Sequence, residues 1–188
     1  MKIVSPEEAA VALKAGKVAL VPTETVVGLV VAESGLSRVR EIKGRDAHKP
    51  IALLCASADE AFGLADNVPP LARQLAEIYW PGPLTLVLDL AGGGTIGVRV
   101  PDGRRVRDLL AAYGGPLYAT SANLSGERDA SSVESVEPRV LSAVDVVVEG
   151  EAGSGEASAV VDLSGGRVRL LRATEELTEE GLCRLAKQ

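Results

Sequence analysis

Residues 19–29 read ALVPTETVVGL, and how that stretch is parsed decides what kind of fold the chain can have. The first four residues suit a short buried strand. Pro22 has no amide donor, so it fits a strand end rather than a central ladder position. Thr23, Glu24 and Thr25 then interrupt, before Val26, Val27 and Gly28 turn the chain apolar again. Three polar side chains between two core-like stretches have two readings. They form a turn that needs hydrogen-bonding residues, or they floor a pocket for a small polar molecule.

Upstream, SPEEAAVALKAG (5–16) has helix punctuation at both ends. Ser5 can cap, Pro6 fits the first turn, Glu7 and Glu8 suit the positive end and Gly16 the exit. Downstream, GLSRVREIK (35–43) reads as a short helix delivering KGR, and PIALLC (50–55) as a strand. Helices are expected from Ser57 onward, over 69–79, 103–112, 132–142 and 174–187. The β-branched runs 84–90, 95–100, 116–120, 144–150, 158–164 and 167–171 read as strands. Strands and helices interleave, and hairpin-like neighbours occur near 84–100 and 158–171. The expected class is therefore α/β, a twisted mixed sheet with flanking helices.

The 188 residues are 46% hydrophobic, enough for one domain over 1–188 with a sizeable core. A net charge of -6 argues against a chain that coats nucleic acid, since such binding needs many cations on phosphate. Cys55 and Cys183 are too few and too far apart for a metal site, and read as small buried thiols in a reducing compartment. No apolar run approaches the ~20 residues that span a bilayer. The expectation is a soluble, cytoplasmic protein without membrane association.

Four polar constellations stand out. Lys43 and Arg45 flank Gly44 at a helix end, where cations either complement the dipole or grip phosphate oxygens. In YATSANLSGE (118–127) a strand runs into the small polar residues Thr120, Ser121, Asn123, Ser125 and Gly126. That pattern is a plain turn, or a strand end where backbone amides approach a ligand. Arg99 lies between valines in TIGVRVPD, so its charge must be paired or face a cleft. Arg172 ends RVRLLR in a similar way, Trp80 in WPGP reads as a packing wedge, and His48 as solvated. One histidine cannot complete a Ser–His–Asp set. Attention moves to chemistry run by positioning and charge.

Taken together, VPTETVVGL, KGRDAHKPIALL, WPGPLTLVL, TIGVRVPD, TSANLSG, ASAVVDLS and LLR resemble, in order and spacing, the YrdC-like family of threonylcarbamoyl-AMP synthases. The length resembles the family's short, single-domain form. The resemblance implies a twisted α/β sheet with a deep, positively charged groove. It implies a reaction of L-threonine, bicarbonate or CO2, and ATP, giving threonylcarbamoyl-AMP and pyrophosphate. A downstream tRNA threonylcarbamoyl transferase complex would then modify the adenosine beside the anticodon. On the family's pattern Thr23, Arg99, Ser121 and Ser158 fall on L-threonine-binding positions. Lys43, Arg45, Lys49, Thr95, Asn123, Ser131 and Arg172 fall on ATP-binding positions, with Lys43 and Arg45 catalytic. Mg2+ would be carried mainly by the phosphates, with no dedicated protein ligands.

Four positions depart from that pattern. Val27 replaces an aromatic residue, which would loosen the pocket wall, and Asp46 replaces a proline beside the phosphate cations. Ala159 lacks a second hydroxyl after Ser158, and Ala173–Thr174 follow Arg172 in place of Pro-Gly. Two rival readings are a nucleotide-binding paralogue with another activity, and a double-stranded-RNA-binding module in the same groove. The second predicts tight, strongly salt-dependent RNA binding, which the net charge of -6 opposes, leaving weak RNA binding as the expectation.

Overall fold

The computed structural model describes residues 2–44, 51–124 and 126–187. In chain order the strands and helices are β1 (Lys2–Val4), α1 (Pro6–Lys14), β2 (Ala19–Pro22), β3 (Val27–Val31), α2 (Leu36–Lys43), β4 (Ala52–Leu54), α3 (Ala58–Gly63), α4 (Pro70–Tyr79) and β5 (Leu84–Asp89). They continue with β6 (Thr95–Arg99), α5 (Arg104–Tyr113), β7 (Leu117–Ser121), α6 (Pro138–Ala143), β8 (Val146–Val148), β9 (Ala159–Asp162), β10 (Arg169–Arg172) and α7 (Glu179–Leu185).

Local chemistry sets many of these boundaries. Ser5 and Glu8 form a reciprocal capping box at the start of α1, with Pro6 in its first turn. Gly44, at φ 56°, closes α2 in the left-handed conformation that glycine adopts without a Cβ penalty. Ser57 and Thr178 cap α3 and α7 through their side chains. Two expected helices are revised. The segment 132–142 splits into a 3-10 turn, Val133–Ser135, and α6, because Pro138 disfavours a helical residue before it and Glu137 is extended. The helix expected from 174 starts only after Thr178, whose hydroxyl accepts from Gly181 N.

The strands of the described residues form one mixed ten-stranded sheet, ordered β1-β8-β2-β3-β7-β4-β6-β5-β9-β10. The hairpins foreseen near 84–100 and 158–171 are the antiparallel pairs β5–β6 and β9–β10. A third, β2–β3, turns through Thr23–Val26, with Pro22 paired to Val27 at its end. Thus β3 completes the opening stretch as a hairpin. The short edge strand β1 had no clear signature in sequence.

Apolar side chains cover the sheet in three clusters. On one face, Leu13 of α1 and Leu109 and Leu110 of α5 pack on Val21, Val30 and Val148. The opposite face buries Leu20, Val27 and Leu29 against Val39 of α2 and Val140 of α6. Beyond β4, Leu75 of α4 and Leu182 of α7 cover Leu86, Val98 and Val161. Each fully buried Leu or Val contributes about 1.5–3 kcal/mol relative to exposure. Trp80 is the wedge expected of it: its ring lies 5.5 Å from Phe62 and its Nε1 donates to Leu84 O.

Two expectations are corrected by this packing. Val27 is fully buried in the core, while its neighbours Val26 and Gly28 face the cavity described below. Strand alternation puts position 27 on the far side, so the missing ring cannot loosen that cavity's wall. Cys183 is exposed, because it lies on the outer side of α7, whereas Cys55 is buried with its thiol pushed up to about 12 by desolvation and then by Glu60.

Candidate active site

Over the middle of the sheet lies a cavity of about 520 Å³. Gly28 of β3, Ala52 of β4, Gly97 of β6 and Ala119 of β7 make its floor. By register Ala52 opposes Ala119, while Gly28 opposes Ser121 and Gly97 opposes Val87, both also on the lining. Small residues at these crossings leave the volume that larger ones would fill. A Cβ on Gly97 would already touch the Ala52 Cβ at 3.4 Å.

At one corner stand Lys43, Ser121 and Asn123. Lys43 is the last residue of α2 and only 4% exposed. Its Nζ donates to Ser121 O at 2.5 Å, Asn123 O at 2.8 Å and Asn123 Oδ1 at 2.9 Å. Asn123 is fixed in turn, accepting from Ser121 Oγ at 2.7 Å and donating to Glu127 O at 2.5 Å. A buried ammonium needs such acceptors to repay lost hydration. The strand end read from TSANLSG therefore holds the cation delivered by the helix.

At another corner the polar trio answers the opening question both ways. It is the β2–β3 turn, and it lines the cavity through Thr23 and Thr25. Thr23 Oγ1 donates to Val26 O at 2.6 Å, which uses its only proton. The 2.9 Å contact between the two hydroxyls must then run from Thr25 to Thr23. Arg99 donates into the same chain, reaching Thr25 Oγ1 from Nη1 and Nη2, both at 3.2 Å. Its Nη2 also meets Glu24 Oε1 at 2.5 Å. Burial would raise the Glu24 pKa, but Arg99 and the Asp102 amide outweigh it and hold the carboxyl below its usual range.

Opposite, Ser158 and Thr85 share a hydroxyl contact of 3.0 Å, and Arg172 Nε donates to Ser158 O at 2.6 Å. Arg172 lies exposed at the rim, and joins the cavity to a second hollow of about 540 Å³ lined by Ser131, Asp129 and Arg128. Over the turn passes the segment 152–155. Gly153 N, Ser154 N and Gly155 N donate to the carbonyls of Thr23, Glu24 and Thr25 at 2.9, 3.0 and 2.8 Å. A Cβ on Gly153 would overlap the Glu24 carbonyl, so only glycine lets this strap lie flat.

Of the residues singled out from sequence, Thr23, Lys43, Arg99, Ser121, Asn123, Ser158 and Arg172 line the one cavity. Ser131 lines the adjoining hollow instead. Thr95 is exposed at the far start of β6, paired with Asp89, and is outside the lining of both. Arg45, Asp46, His48 and Lys49 lie outside the described residues. Thr85 was not singled out from sequence, and Glu24 and Thr25 were read only as part of the polar trio that would floor a pocket, not as partners of Arg99. The available signal was Arg99 itself, since a buried guanidinium demands a nearby acceptor. Among the described residues no three His, Cys, Asp or Glu side chains are grouped to hold a metal, and no helix is long and apolar enough to cross a membrane.

Comparison with known proteins agrees with this fold. The threonylcarbamoyl-AMP synthase of Pyrococcus abyssi is 35% identical over 173 residues, which are 85% of this chain and 51% of that protein. The synthase of Rattus norvegicus is 36% identical over 180 residues, 86% of this chain and 64% of that one. This chain thus spans between about half and under two thirds of those two relatives. The synthase of Vibrio vulnificus (strain YJ016) is 35% identical over 156 residues, 76% of this chain and 84% of the relative. Among solved structures, P. abyssi Sua5 complexed with L-threonine superposes with a TM-score of 0.82 at 33% identity, over 89% of this chain and 53% of that one. Escherichia coli YciO shares the fold, with a TM-score of 0.79 at 24% identity over 89% and 87% of the two chains. The family model Sua5/YciO/YrdC, described as "Telomere recombination", matches residues 11–174. With the hairpin, the helix-end lysine and the buried arginine all inside that span, the chain belongs to the Sua5/YciO/YrdC family.

Proposed function

We propose that this chain is an L-threonylcarbamoyladenylate synthase, joining L-threonine, bicarbonate or CO2, and ATP to give threonylcarbamoyl-AMP and pyrophosphate. The carrying observation is that Lys43, Arg99, Arg172, Asn123 and Thr23, from distant parts of the chain, line a single cavity. The names of the relatives and the L-threonine held by P. abyssi Sua5 support the same reading.

In this reading the amine of threonine adds to CO2 and loses a proton, giving a carbamate. A carbamate oxygen attacks the α-phosphorus, and the bond from that phosphorus to the pyrophosphate oxygen breaks in line. No protein nucleophile is needed, only alignment and neutralisation of charge. Lys43, with Arg45 and Lys49, would lie along the triphosphate. Asn123 and Arg172 would steady the nucleotide, with Ser131 in the hollow beyond Arg172. Thr23, Arg99, Ser121 and Ser158 would line the amino-acid end. Mg2+ would arrive on the phosphates, whose oxygens supply ligands for it. The mixed anhydride would pass to a tRNA-modifying transferase.

The test is incubation with ATP, L-threonine, bicarbonate and Mg2+, followed by mass detection of the mixed anhydride. The reading predicts pyrophosphate release that requires both threonine and bicarbonate. Release that needs neither would instead indicate a paralogue with another activity.

A further inference from the structure

A guanidinium carries five N–H donors arranged as two forks, one side-on (Nε with Nη2) and one end-on (Nη1 with Nη2). In Arg99 both forks are already filled by the protein. Gly82 O lies 3.1 Å from Nε and Glu24 Oε1 2.5 Å from Nη2, which closes the side-on fork. Thr25 Oγ1, at 3.2 Å from Nη1 and Nη2 alike, closes the end-on fork. A single Nη1–H is left over.

Glu24 is itself held so that only an acceptor fits. Oε1 also accepts from Asp102 N at 3.0 Å, and Oε2 from Gly103 N at 3.0 Å. An amide at position 24 would turn an N–H toward one of these donors. Gly103 is part of the fit, because a Cβ there would come within 3.0 Å of Glu24 Oε2. Thr25 is constrained from the other side, since its proton goes to Thr23 and its lone pairs to Arg99.

Resting on the synthase reading, we propose that Glu24 and Thr25 are positioning residues for Arg99. They hold both forks, so that the carboxylate of the amino acid meets a fixed cation through the one remaining Nη1 donor. With both forks filled, Arg99 has no second donor for a two-donor grip on the substrate. It also sets specificity. The Glu24–Arg99 pair has no net charge, which suits a zwitterion carrying an amine beside its carboxylate better than a simple carboxylic acid.

The test uses the full chain with Glu24→Gln, Thr25→Val and Thr25→Ser. Three measurements are made: the Arg99 guanidinium N–H signals by NMR (assigned with Arg99→Lys), L-threonine affinity by calorimetry, and steady-state pyrophosphate release. In the unaltered chain the Arg99 Nη protons are expected as separate, slowly exchanging signals. Glu24→Gln and Thr25→Val should average them and weaken threonine binding about tenfold or more, the scale of a lost hydrogen bond to a charged group. The KM for ATP should move by less than about threefold, and Thr25→Ser should restore the unaltered behaviour. Unchanged guanidinium signals, or equal or tighter threonine binding in Glu24→Gln, would overturn the proposal. If Glu24→Gln does not fold, Thr25→Val against Thr25→Ser decides it. Should the unaltered chain neither bind threonine nor release pyrophosphate, the synthase reading falls, while the guanidinium signals still report whether the forks are held.

Discussion

The two buried cations of the cavity are held in opposite ways. Lys43 donates to two backbone carbonyls and an amide oxygen. Arg99 is matched by the carboxylate of Glu24 and by neutral oxygens around it. On the proposed synthase reading the lysine corner would serve the triphosphate and the arginine corner the amino acid, at separate places in one cavity.

The largest expected effect comes from Lys43→Met, which keeps the side chain's length and removes its charge. Pyrophosphate release should fall about a hundredfold or more, the scale for deleting one preorganised charge contact. A milder loss would break the contrast drawn between the corners.

Next is Val27→Tyr, which restores the ring usual at that position. Because Val27 packs in the core, overpacking should cost about 1–3 kcal/mol in denaturant unfolding, with the KM for threonine unchanged. A changed KM would put that side chain in the cavity.

At the arginine corner, Gly153→Ala must lift the strap from the Glu24 carbonyl. A loss of about 1–3 kcal/mol is expected. Gly63→Ala, at the end of α3 with open space around it, should stay within about 0.5 kcal/mol and serves as its control.

The smallest effect concerns acid. The Glu24 carboxyl is held below its usual range in the folded chain, so the folded state binds its proton less readily than the unfolded one. The stability it contributes is present above the unfolded value of ~4.3 and is lost as pH falls below it. Glu24→Gln should flatten the acid limb of the unfolding profile. An unchanged limb would mean that Glu24 is not held by Arg99.

Much of this was legible along the chain where the cause is local. Ser5, Pro6 and Glu8 announce α1 because a helix cap involves residues three apart. The strand runs of β5 to β7 and β9 show themselves by β-branched content. Charge buried between valines at Arg99 marked a cleft or a partner before either was seen. The expected helix over 132–142 failed at Pro138, where one residue's geometry overrode the apolar spacing around it.

What the sequence by itself determined is most of the elements, the mixed α/β class and most of the polar side chains that line the cavity. Each of those depends on residue type and on neighbours a few positions away. Only the tertiary structure decided which acceptor answers which cation, that Val27 turns from the cavity, that Thr95 falls outside its lining, and that Gly153 lies on Glu24. Those facts depend on strand register and on a strap that crosses from residue 153 to residue 24. No local pattern encodes a contact between segments so far apart in the chain.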